Sequence, residues 1–156
     1  MNELPLEMPR RDCKIAIVAS EFNHFIVQQL VDGALDALNR NGFPDDNVHL
    51  AWVPGAFELP LAADALAAKT QYDAIITLGA VIRGGTPHFD YVAGECARGV
   101  ADVGLKHGLP VIFGVLTTDN VDQALERAGS GEGNKGFDTA VAALQMIALL
   151  DRINDK

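Results

Sequence analysis

The chain is short of the residues that carry several common functions. Of its 156 residues only two are cysteines, Cys13 and Cys96. They stand far apart with no C-x-x-C spacing, so neither a disulfide framework nor a zinc site is expected. Lys and Arg number 12 against 21 Asp and Glu, giving a formal net charge of −9. That deficit argues against a nucleic-acid surface, because phosphate backbones are held by clustered cations. No apolar run reaches the roughly 18 residues a membrane span requires. Residues 1–12 carry Glu3, Glu7, Arg10 and Arg11 and are broken by Pro5 and Pro9, so they lack the continuous apolar core of a signal peptide. Cytoplasm is the expected location, with residues 1–12 as an N-terminal extension and residues 13–156 as a single domain.

What is present is ample core-forming material: hydrophobic residues make up 49% of the chain, with mean hydropathy +0.13. Apolar runs over residues 13–19, 48–53, 72–82 and 111–116 read as buried parallel strands. Between them lie helical patterns. From Phe25, Ile26, Val27, Leu30, Val31, Ala34, Leu35 and Leu38 recur at three- and four-residue spacing until Gly42. A helix to about Lys69 carries Pro60 in its first turn, where the missing N–H costs nothing. A third covers residues 89–106, with Gly94, Gly99 and Gly104 suggesting close approach to another backbone. Residues 117–120 offer N-cap chemistry for a short helix through Arg127, and a final helix spans residues 137–153. Strands alternating with helices predict an α/β three-layer sandwich: a flavodoxin-like, four-stranded, mostly parallel sheet with helices on both faces.

The stretch most suggestive of chemistry is residues 78–90, LGAVIRGGTPHFD. A strand ends at Ile82, Gly84 and Gly85 free the backbone for φ > 0, and a helix start adds its positive dipole end, which together suit a phosphate. His88 beside it has the side chain whose ordinary pKa lies nearest neutrality. Any anionic substrate must be met by a few focused cations, and Arg83, Arg127 and Lys135 border glycine-rich or helix-terminal segments. Phe22 follows the first strand as either a stacking platform for a flat ring or a hydrophobic staple. Glu58 falls in a first helical turn, where it either favours the dipole or lines a crevice with Ala56 and Phe57. Ligands of such sheets bind outside the carboxyl ends of the strands, which predicts Phe22, Ala56 to Glu58, Ala80 to His88 and Phe113 or its successors on one rim.

Five segments then carry a resemblance in order and spacing from about Lys14 onward. Phe22-Asn23, WVPGAFELP at residues 52–60, residues 78–91, FGVLTT at 113–118 and GNKG at 133–136 resemble the 6,7-dimethyl-8-ribityllumazine synthase family. The resemblance implies condensation of 5-amino-6-ribitylaminouracil with 3,4-dihydroxy-2-butanone 4-phosphate, releasing phosphate and water, without metal or organic cofactor. It implies that Phe22 stacks on the pyrimidine, that Ala56, Phe57 and Glu58 hold its ring edge and ribityl tail, and that Ala80, Val81 and Ile82 offer backbone contacts. Gly85 and Thr86 would bind the phosphate, with Arg127 as clamp and Lys135 as supporting cation. His88 would move protons, and Phe113 would close the ring pocket. Family members form pentamers, and some form shells of twelve pentamers, with Phe113, Arg127 and Lys135 coming from the subunit next to the one offering His88. An association with riboflavin synthase belongs to the same expectation.

Glu21 and Glu132 depart from the family's pattern by placing acids near the anion sites, although exposed carboxylates are screened beyond about 10 Å in ordinary salt. Two rival readings compete with this one. A catalytically idle relative that binds flavin or lumazine, or serves mainly as a shell, would keep Phe22 and the pocket but could lose His88, Arg127 or Lys135, and all three are present. A phosphate-sensing receiver would want an acidic cluster at the end of the first strand to hold Mg²⁺, and only Glu21 stands there.

Overall fold

The computed structural model describes residues 1–129 and 133–154; Glu132 therefore lies outside the described residues. Four strands, β1 (Ile15–Ser20), β2 (Val48–Val53), β3 (Ala74–Ile82) and β4 (Val111–Thr118), form one sheet in the order β2-β1-β3-β4. All pairings are parallel. The helices are α1 (His24–Arg40), α2 (Leu59–Ala68), α3 (His88–His107), α4 (Val121–Arg127) and α5 (Lys135–Ile153). The expected α/β flavodoxin-like sandwich is therefore the observed one, with the sheet wholly parallel.

The strand sequences explain the layering. β1 and β3 are central and covered on both faces, so they carry near-continuous apolar runs and are buried almost throughout. Alternate residues then face opposite layers: Ile15, Ile17, Ile76 and Leu78 pack with α1 and α5, whereas Ala16, Val18 and Ile75 pack with α2 and α3. Each fully buried Ile or Leu side chain contributes about 1.5–3 kcal/mol relative to exposure. β2 and β4 are edge strands and are only partly buried.

On one face α1 and α5 cross at unusually close range. A Cβ on Gly136 would lie 1.9 Å from the Leu30 carbonyl oxygen, and one on Gly33 would lie 2.2 Å from Asn134 Oδ1. Asn134 ties this crossing together. Its Nδ2 donates to the carbonyls of Gln29 and Ala128 at 3.0 and 2.9 Å, and its Oδ1 accepts from the Phe137 N–H at 3.1 Å as the N-cap of α5. That cap starts α5 at Lys135, two residues before the expected start, and so moves Lys135 from a loop into the first turn of a helix.

Other boundaries shift for local reasons. β3 begins at Ala74 rather than residue 72, because the Asp73 carboxylate turns back to accept from the Lys14 N–H at 2.8 Å and from Arg11 at 3.0 Å. β4 runs on to Thr118, its residues 116–118 paired with Ala80, Val81 and Ile82, and Asn120 alone caps α4. Of the three α3 glycines, Gly99 meets the Pro60 side chain, Gly104 approaches the Leu109 carbonyl, and Gly94 faces open space. Within one copy, then, only Gly104 approaches backbone, because α2 presents a proline ring rather than bare backbone to Gly99. Residues 1–12 form no helix or strand. They are fastened to the end of α5 by Arg11, which meets Asp151 at 2.6 Å, and by Arg152, which donates to the Pro5 carbonyl.

Candidate active site

The chain leaves the centre of the sheet from β1 toward β2, then crosses back to β3 and on to β4. The point where the order reverses lies between β1 and β3, where a crevice opens beyond the strand ends. The register marks it: β1 pairs with β3 only as far as Ala19 with Leu78, whereas β3 continues beside β4 to Ile82 with Thr118. The last residues of β3 thus lose their strand partner on one side.

Past Ser20 the chain crosses the exit of β2, where the Glu21 and Phe22 N–H groups donate to the carbonyls of Val53 and Pro54 at 2.7 and 3.1 Å. Asn23 then turns the chain into α1 with φ of 62°, a left-handed conformation that asparagine tolerates. Its side chain does not cap the helix and instead donates to the Ala80 carbonyl at 2.9 Å, tying this turn to the end of β3. Phe22 is left 72% exposed at the rim, so its ring is not buried against α1 as a staple. The Glu21 carboxylate faces His24 at 3.1 Å, and the His24 ring lies 4.8 Å from that of Trp52.

After β2, a 3₁₀ turn over Ala56–Glu58 leads into α2, with Pro60 in the first helical turn as expected. Ala56 is buried and Phe57 exposed. From β3 the loop 83–87 reaches α3, whose first residue is His88. Neither Gly84 nor Gly85 takes a positive φ, which corrects the expected role of the pair. A Cβ on either would meet nothing within 4 Å, so their contribution is bare space above the loop rather than an unusual backbone. Pro87 precedes α3, and the Asp90 N–H closes the first turn onto its carbonyl at 3.0 Å. His88 is exposed, and among the described residues it has no hydrogen-bond or ionic partner.

These segments line a cleft of about 160 Å³ that includes Phe22, Ala56, Ala80, Val81, Ile82, Thr86 and His88. A shallower depression of about 580 Å³ continues it past Phe57, Glu58 and Tyr91, sharing Phe22, Ala56 and His88. Gly85 stands in the loop beside the cleft without lining it. Of Phe113 and its successors, Thr117 and Thr118 reach the strand ends beside Val81 and Ile82, whereas Phe113 itself is not on this rim. It pairs with Thr77, well before the end of β3, and so lies early in β4. With Arg127, Lys135 and Asp138 it lines a separate depression of about 430 Å³ against β4, α4 and α5 that shares no residue with the cleft.

The three candidate cations are placed very differently. Arg83 is engaged, its Nε 3.1 Å from Asp119, one terminal nitrogen 3.5 Å from Asp90 and its guanidinium 4.4 Å over the Phe89 ring. Sequence reasoning missed those partners, since Asp119 lies in another loop. Among the described residues Arg127 donates only to the Gln123 carbonyl, at 3.2 Å. Lys135 is exposed and without a side-chain partner among the described residues. Both cysteines are buried, and loss of solvent raises each thiol to about 11. Among the described residues no group of three His, Cys, Asp or Glu could hold a metal ion, and no helix is long and apolar enough to cross a membrane.

Compared with known proteins, residues 12–151 match the family model described as 6,7-dimethyl-8-ribityllumazine synthase. Among solved structures, the chain is similar to a GDP-L-fucose synthetase from Naegleria fowleri bound to NADP, with 11% identity and a TM-score of 0.40 over 99% of this chain and 47% of that one. A second structure of a GDP-L-fucose synthetase from that organism gives 9% identity and a TM-score of 0.41 over 99% and 49%. The chain thus spans about half the length of these two, and neither likeness bears on the site.

Proposed function

Because the chain belongs to the 6,7-dimethyl-8-ribityllumazine synthase family, we propose that it condenses 5-amino-6-(D-ribitylamino)uracil with 3,4-dihydroxy-2-butanone 4-phosphate, forming the lumazine and releasing phosphate and water. The observation that carries this reading, beside the family match, is the gathering around one cleft of an exposed aromatic ring, the end of β3 beyond its pairing with β1, a bare glycine loop and an imidazole without a partner among the described residues. On this reading Phe22 stacks on the pyrimidine, strand-end groups of Ala80, Val81 and Ile82 hydrogen-bond its edge, and Ala56, Phe57 and Glu58 hold the ring edge and the ribityl chain. Gly85 and Thr86 receive the phosphate at the start of α3, where the helix dipole favours an anion.

The chemistry needs protons moved rather than a strong nucleophile, since the pyrimidine brings two amines. One amine attacks the ketone and water leaves to give an imine. Loss of a proton and of phosphate follows, and the second amine closes the ring with loss of water. His88 stands beside the phosphate loop and serves these transfers in turn. Orienting two substrates together can supply roughly 7–11 kcal/mol of the barrier reduction.

Among the described residues the cleft has no free cation of its own, because Arg83 is engaged with two carboxylates. Arg127, Lys135 and Phe113 sit together elsewhere on the same chain. This supports a homo-oligomer in which one copy brings that depression to the next copy's cleft, a head-to-tail arrangement that closes into a ring. A pentamer, alone or within a sixty-subunit shell, is the assembly we propose. The test is lumazine formation from the two purified substrates, followed by absorbance, with His88→Ala and Arg127→Ala alongside. Acceleration that falls in both variants supports the assignment. No acceleration by the assembled protein overturns it and leaves a lumazine-binding or shell role.

A further inference from the structure

Loop 83–87 has little to hold it. A Cβ on Gly84 or Gly85 would meet nothing within 4 Å, and the turn from Asp90 to Pro87 is local. Yet this loop carries Thr86 and delivers His88, so its shape sets the distance between any held phosphate and the imidazole. The one residue reaching from it to both neighbouring elements is Arg83. Its N–H donates to the Thr118 carbonyl at 2.8 Å, extending the β3–β4 ladder by one bond. Its guanidinium meets Asp119 in the β4–α4 loop and Asp90 in the first turn of α3, while lying over Phe89.

We propose that Arg83 is a positioning residue, a brace that holds the glycine loop and His88 in register by linking the start of α3 to the β4–α4 loop. Its relevance to turnover rests on the synthase reading. Its charge is already met by two carboxylates, so it acts through the loop and not on the phosphate. The three ion-pairing side chains are 48%, 62% and 69% exposed. Exposed pairs add little to global stability, so losing them loosens the loop without unfolding the chain. The guanidinium is suited to this because a planar fork can meet two acceptors and stack on a ring at once, which an ammonium cannot.

The experiment compares Arg83→Gln, Arg83→Lys and Asp119→Asn with the parent in the intact assembly. In the absence of substrate, amide hydrogen exchange over residues 84–90 should quicken about tenfold in Arg83→Gln and Asp119→Asn, with melting temperature nearly unchanged, as expected for a local opening. Arg83→Lys should rescue only partly. With substrates, both variants should raise KM for the butanone phosphate several-fold and leave KM for the pyrimidine unchanged. Asp119→Asn is the discriminating change. If Arg83 instead gripped the phosphate directly, freeing it from Asp119 would lower that KM, and this result overturns the brace. Unchanged exchange in both variants overturns it as well. Quickened exchange in a protein that makes no lumazine removes the synthase reading and leaves the brace standing.

Discussion

Replacing Gly136 by alanine should destabilise the protein, although a helix ordinarily gains up to ~1 kcal/mol from that change. The added methyl would sit 1.9 Å from the Leu30 carbonyl oxygen and 2.6 Å from its carbon, with Asn134 Oδ1 at 2.9 Å. Restoring an ordinary carbon–oxygen separation of about 3.3 Å requires α1 and α5 to part locally by roughly 1.4 Å. The obstacle is the backbone of a helix buried against the sheet, which cannot rotate aside as a side chain could. Overpacking of this kind costs about 1–3 kcal/mol. With the obstacle rigid, the upper end applies, and subtracting the propensity gain leaves a net loss of ~2 kcal/mol. For a domain of this size that lowers the melting temperature by about 4–8 °C. Gly94→Ala in α3 is the control, since it meets nothing within 4 Å and should gain up to ~1 kcal/mol. Urea unfolding followed by circular dichroism, at matched protein concentration, reads both. A Gly136→Ala protein as stable as the parent would refute the tight helix crossing.

Asn134→Ala should cost about 2–3 kcal/mol, from a lost N-cap and two carbonyls left without their donor, measured in the same unfolding series; a loss below 0.5 kcal/mol would show that the amide is dispensable. Hydrogen bonds from His107 and Lys106 hold the Asp64 carboxyl below its ordinary 3.8. A depressed carboxyl stabilises above its unfolded value and loses that contribution as pH falls through the folded one. The melting-temperature gap between the parent and Asp64→Asn should therefore be widest near neutrality and close below about pH 4. A gap that stays constant through the acid range would refute the link. Buried and raised to about 11, Cys13 and Cys96 should react with a thiol reagent at mildly alkaline pH only on unfolding; rapid labelling of the native protein would contradict their burial.

Much of the architecture was readable because period and composition report burial directly. β2 was placed residue for residue, and Pro60 announced the start of α2, because a proline fits a helix only in its first turn. The cleft was legible in outline for the same reason: strand ends, glycines and a helix start adjoin in sequence. What escaped depends on partners remote in the chain. Asn134 reaches Gln29 across 105 residues, and no local pattern reveals that this amide starts α5 two residues early. Arg83 looked like a free cation because Asp119 lies 36 positions on. Which residue of β4 reaches the rim, Phe113 or its successors, depends on the register with β3, and Phe113 stands early in that edge strand.

The separation of the cleft from the Arg127–Lys135 depression has a consequence for mixtures. If each working site joins the cleft of one copy to the depression of the next, a His88→Ala chain still carries a sound depression and an Arg127→Ala chain a sound cleft. Each variant assembled alone has every site damaged. Co-refolded in equal amounts, the two would place a sound depression against a sound cleft at about one junction in four, by chance alone. Two damaged preparations would thus regain roughly a quarter of full activity on mixing, whatever the size of the ring, whereas sites built within single chains would regain none.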